Sequence, residues 1–244
     1  MLRTLLKWEF SSLVRLKIIL PLIAFMSFTS YSAGEPFGAS GFSGVRVPMG
    51  SIAGVVSGRA LLSLGGIYLA LAFFSSILIS TSITGEMDTG ILKCYISLPV
   101  SRLEVFLAKV LANYLLLLSA GLAAVYYRMV MMVPQVFPIL LLKAPTSILK
   151  PGRFLALELL FTFSVALYFS VVSRKAWHAS LYSLLVLYLF STTRYVAPGL
   201  QWYLPPICFT FESLYATSGV FFTAFSIILI LLSTYIFTKR LEVT

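Results

Sequence analysis

The residues with chemical potential in this chain are few and scattered. Glu158 stands inside an otherwise apolar stretch, and Asn113 stands inside another. A carboxyl group in such a place is either a contact for something that crosses the membrane or the partner of a nearby base. Arg153 or Lys150, a few residues before Glu158, is the expected partner near the outer interface. Asn113 either faces a path or hydrogen-bonds to a neighbouring helix. A denser polar group runs through Glu86, Asp88, Gly90, Lys93 and Arg102, in the sequence ITGEMDTGILKCYISLPVSRLEVFLAKV. Catalytic chemistry has little to work with. His178, Cys94 and Cys208 form no cluster at metal-ligand spacing. No G-x-x-x-x-G-K-[ST] run is present, and the Gly-rich run 34–44 lacks the lysine such a loop requires.

The elements that must position these residues are apolar. Of 244 residues, 59% are hydrophobic and 11% charged, with a mean hydropathy of +0.98. Soluble domains carry roughly 25% charged residues. A helix needs about 20 mostly apolar residues to cross the hydrocarbon core. Stretches near 18–34, 60–82, 105–127, 154–173, 177–196 and 218–238 meet that need. The expected fold is an all-α integral membrane protein with about six transmembrane helices. Residues 1–17 precede a permease domain at 18–240. The net charge of +10 comes from basic residues placed singly or in pairs between apolar blocks. This is the distribution of orientation signals and headgroup contacts, and it argues against nucleic acid as a partner. With the N-terminus inside, eleven basic residues fall on inner segments and seven on outer ones, so both termini are expected in the cytoplasm.

Local spacing adds detail to this outline. In MLRTLLKWEFSSLVRLK, Leu2, Leu5, Leu6, Phe10 and Leu13 recur at helical spacing, with Arg3, Lys7, Ser11 and Arg15 on another face. That predicts an amphipathic helix in the inner interface. In the segment 85–101, Met87, Ile91, Leu92, Tyr95 and Ile96 predict a second short amphipathic helix, ended by Pro99. Ser101 with Glu104 predicts a capping box that opens the next span, with Arg102 and Lys109 anchoring it at the headgroups. The apolar run 129–142 is broken by Pro134 and Pro138 and reads as an outer re-entrant or interfacial piece rather than a seventh span. The Gly/Ser/Pro-rich run 34–58 reads as an outer loop, and the aromatic-rich run 195–217 as an interfacial belt.

The stretch from Glu86 to Lys109 resembles the cytoplasmic segment of type-2 ABC transporter permeases, through Glu86, Gly90, Pro99, Ser101, Arg102 and Lys109. The amphipathic N-terminus and the basic end FTKRLE are similar to that family as well. The piece between the third and fourth spans is longer than the family's usual outer loop. The resemblance implies an exporter subunit that forms the path and pairs with a second permease chain. It also implies a separate ATPase subunit, holding ATP and Mg, docked on Glu86, Asp88, Gly90, Lys93 and Arg102. No cofactor is expected in this chain. The readings that compete with it are an ATP-independent carrier or channel, and a membrane anchor or assembly subunit.

Overall fold

The structure is a computed structural model that describes residues 2–15, 49–91, 101–196, 203–205 and 212–243. The described residues are helical, joined by short turns, with no strand among them. Helix α1 is Leu2–Arg15. Helix α2 is Met49–Ile79, continued by a wider π turn at Ser80–Gly85 and a last turn at Glu86–Asp88. Beyond it lie α3 (Arg102–Met132), α4 (Phe137–Lys143), α5 (Pro145–Val172), α6 (Ala176–Val196) and α7 (Glu212–Val243). Among the described residues, four helical stretches are long and apolar enough to cross a membrane: Gly66–Asp88, Arg102–Met132, Pro145–Val172 and Ser218–Lys239. The expected first span, 18–34, lies outside the described residues. The expected fifth span coincides with α6, which is 21 residues long but is not among those four.

Helix α5 is the axis of the bundle. It packs against α2, α3, α4, α6 and α7. Seven consecutive residues, Phe161 to Leu167, are buried, so all its faces are covered there. A helix that is apolar all round belongs in such a position. Small residues let it approach its neighbour closely. A Cβ on Gly121 of α3 would lie 2.9 Å from a methyl of Leu155, and one on Gly152 would lie 2.6 Å from the Tyr126 hydroxyl.

Cross-helix contacts give the direction of each helix. Ser80 and Thr84 near the end of α2 meet Ser170 near the end of α5. Asn113 near the start of α3 meets Ser82. Tyr68 of α2 donates to the Leu187 carbonyl of α6, and Ser180 of α6 donates to the Ser76 carbonyl. Phe106 packs on Phe237 near the end of α7 at 4.5 Å between ring centroids. So the ends of α2, α5 and α7 and the starts of α3 and α6 gather at one end of the bundle. Helix α1 packs on α3 at this same end.

Three expectations change. The run 34–58 is not loop throughout, because α2 begins at Met49. Its glycines recur at 50, 54 and 58, which is also helical spacing, and Ala53, Val56, Ala60 and Leu64 bury a different face. The span expected from 154 begins at Pro145, since proline is tolerated in a first turn. Pro151 then lies within the helix, where its ring leaves the Ser147 carbonyl without an intrahelical donor. The short helix expected from Met87 to Ile96 does not run unbroken. It stops at Asp88, because Gly90 adopts φ +75°, the left-handed conformation that ends helices. Lys93, Cys94 and Pro99 lie outside the described residues, as does Cys208. In the run 129–142, α4 has 7 residues, about 10 Å of helix, too short to cross a core of about 30 Å.

The capping box at the head of α3 is present. The Ser101 hydroxyl accepts from the Glu104 backbone N–H at 3.2 Å, and the Ser101 N–H donates to the Glu104 carboxylate at 3.2 Å. Ser101→Ala is expected to cost about 0.5–2 kcal/mol. Thermal unfolding of the purified variant would measure it, and an unchanged midpoint would contradict the cap's contribution.

Candidate functional site

Three charged side chains from three helices meet where α2 ends and α3 begins. Lys109 of α3 is fully buried, and its Nζ lies 2.8 Å from Glu9 Oε1 of α1 and 2.8 Å from Glu86 Oε1 of α2. Four residues along α3, on the same face, the Asn113 amide donates to Ser82 Oγ at 3.0 Å and to the Lys109 carbonyl at 2.8 Å. The two rungs match because residues four apart share a helix face: 109 and 113 on α3, 82 and 86 on α2. The π turn at Ser80–Gly85 adds a residue to the winding of α2 just before Glu86 and so re-phases the last turn.

Lys109 does not reach headgroups, as its place near a membrane interface suggests. Two carboxylates hold it inside the protein. A cation taken out of water needs such partners, since its desolvation costs several kcal/mol. Two carboxylates around one ammonium leave one formal negative charge. Glu86 Oε2 is buried and has no hydrogen-bond partner, so the cluster is not fully satisfied.

Glu9 is the residue that sequence reasoning misses, because it reads there only as a charge interrupting an apolar run. Its spacing carries a signal, however: Leu2, Leu6, Glu9 and Leu13 lie three or four apart, so the acid sits on the apolar stripe of α1. Lys109 is an equally misplaced base among apolar residues. Each charge is anomalous alone, and together they are complementary.

The remaining residues expected at sites are placed as follows. Asp88 and Thr89 are exposed just beyond Glu86, and Gly90 and Arg102 are partly exposed. Asn113 is buried at the α2–α3 seam. Glu158 is fully buried halfway along the 28-residue α5. Its expected pairing with Arg153 or Lys150 is not formed, since neither Glu158 oxygen has a hydrogen-bond partner. Arg153 is exposed, and the Lys150 ammonium lies over the Phe154 ring, 5.7 Å from its centroid. Helix geometry explains this, because Arg153, five residues away, points to a different face, and Lys150, eight residues away, is about 12 Å off along the axis. At the other end of the bundle Arg128 is buried, which composition does not suggest. Among the described residues no group of three or more His, Cys, Asp or Glu side chains could hold a metal ion.

The ion pairs tie an N-terminal helix to the point where one long helix ends and the next begins. No curated protein is significantly similar to the chain. A family model described as ABC-2 family transporter protein matches residues 3–199, which takes in α1, the Glu86–Lys109 stretch and the helices through α6. The chain therefore belongs to the ABC-2 family of transporter membrane proteins.

Proposed function

We propose that the chain is the permease subunit of an ATP-driven exporter, with about six membrane crossings and both termini in the cytoplasm. The single observation that carries the coupling part is the Glu9–Lys109–Glu86 cluster. An ATPase subunit docks on the segment after Glu86, with Asp88, Gly90, Lys93 and Arg102 as contacts. Glu86 faces inward and links that segment to the spans. When ATP binding draws two ATPase subunits together, the segment moves. The ion pairs then carry the movement into α1 and α3, and the bundle changes between two states. A second permease chain completes the path, and ATP and Mg belong to the ATPase. Glu158, an unpartnered carboxyl halfway along the central helix, is the proposed polar contact of the path.

The test leaves the ion pairs intact. Residues 89–98 are replaced by a Gly/Ser linker of equal length, and the variant is co-expressed with the ATPase subunit. The expected result is a normally folded permease that no longer retains the ATPase in a pull-down. Stoichiometric retention would overturn the docking assignment.

A further inference from the structure

The buried acid outside the ion-pair cluster lies among aromatic rings. Glu158 is fully buried halfway along α5, and neither of its carboxylate oxygens has a hydrogen-bond partner. Phe161 follows three residues later, on a neighbouring part of the helix surface. Its ring meets Phe190 of α6 and Phe222 of α7, with centroids 5.4 Å away in each case, and Phe190 and Phe222 stand 6.0 Å apart. All three contacts are edge-to-face. From α3, the Tyr114 ring packs edge-to-face on Phe163 at 5.4 Å. The Tyr114 hydroxyl donates to the Ala156 carbonyl at 3.3 Å, so it is engaged by the backbone. Helices α3, α6 and α7 therefore bring rings to the part of α5 between Ala156 and Phe163, and Glu158 lies within that part.

An ionised carboxylate in an apolar place needs a cation and hydrogen-bond donors. A metal ion fits poorly, because among the described residues no group of three or more His, Cys, Asp or Glu side chains could hold one. An organic ammonium fits well. Its N–H groups donate to carboxylate oxygens in charge-assisted hydrogen bonds. Its charge is attracted to the faces of aromatic rings, more strongly where water is excluded. Apolar substituents match a surrounding built from phenylalanine, with one polar group to fix orientation.

We propose that Glu158 and the rings of Phe161, Phe190 and Phe222 recognise a protonated amine carried on an apolar body, so that the substrate class is an amphiphilic cation. This rests on the reading of Glu158 as a contact of the path. The helices close over the carboxylate in the present arrangement, and the amine reaches it in the other of the two states.

The full chain in phosphatidylcholine nanodiscs is dialysed against phenylbutylamine or against phenylbutanol, a neutral probe of equal length, with empty nanodiscs as the baseline. The wild type is expected to bind the amine at least about tenfold more tightly than the alcohol. Glu158→Gln, close in shape but without the charge, should bring the amine down to the level of the alcohol. Phe161→Leu should weaken amine binding by about twofold to fivefold and keep the preference over the alcohol. The comparison of the two probes in the wild type needs no variant to fold. Equal binding of both probes there would overturn the proposal in favour of a proton on the carboxyl. A preference that survives Glu158→Gln would overturn it as well. The measurement uses the permease alone, so the docking assignment and the amine site can fail separately.

Discussion

Lys109→Met is expected to be the most damaging single substitution in the described part of the chain. It removes the ammonium that holds Glu9 and Glu86 and leaves a buried carboxylate, Glu9, beside a partly exposed one, Glu86. Breaking a buried ion pair in this way costs about 3–5 kcal/mol. Glu9→Gln leaves Lys109 with Glu86 and should cost less, about 1–3 kcal/mol. The triple variant Glu9→Leu, Glu86→Leu, Lys109→Met replaces the cluster with apolar side chains and should recover most of the loss, because no charge then remains to be desolvated. Survival of the purified protein through a heating series, read by size-exclusion chromatography, ranks the three. If Lys109→Met survives as well as the wild type, the cluster does not hold the helices together. The triple variant also separates stability from coupling. If the cluster carries movement, this variant should fold and still fail to link ATP hydrolysis to transport.

Glu158→Met is expected to act in the opposite direction on stability. Glu158 is fully buried, and neither of its oxygens has a hydrogen-bond partner. An unpartnered buried polar group costs about 1–3 kcal/mol, and methionine has a similar size without that cost. The same heating series should therefore show a more stable protein. Glu158→Gln keeps a polar group in the same place and should gain little. A destabilised Glu158→Met would show that the carboxyl has a partner in the native membrane. A stabilised variant that has lost transport would mark Glu158 as a group kept at a cost in stability, which is the usual condition of functional residues inside membranes.

The contrast between the two residues shows how far a sequence reading can reach. Both are single charges in apolar helices, and the sequence places both near an interface with a simple partner: headgroups for Lys109, Arg153 or Lys150 for Glu158. The structure reverses the assignments. Lys109 has two protein partners, and the Glu158 carboxyl has no hydrogen-bond partner. The sequence presents Glu86 as a docking contact, and the structure shows that its carboxylate also pairs with Lys109. Asn113 has two roles open to it in the sequence, and the structure gives it the bond to the neighbouring helix.

What the sequence determined by itself is local. Apolar run length marks the long helices, because a span must bury about 20 residues in succession. Ser101 and Glu104 mark the head of α3, because a capping box is closed within four residues. The lack of a phosphate-binding loop is likewise a property of the string. Gly90 stands out in the sequence as part of a motif, but its left-handed backbone, which breaks the expected helix, shows only in the fold. What only the tertiary structure decided is pairing. Glu9 and Lys109 are 100 residues apart and Glu86 and Lys109 are 23 apart, and they meet because α1, α2 and α3 bring their ends together. A charge's partner depends on which face each helix presents and on how far its neighbour is shifted along the axis. Periodicity fixes a face for one helix, but the relation between two faces is set by the packing of the whole bundle.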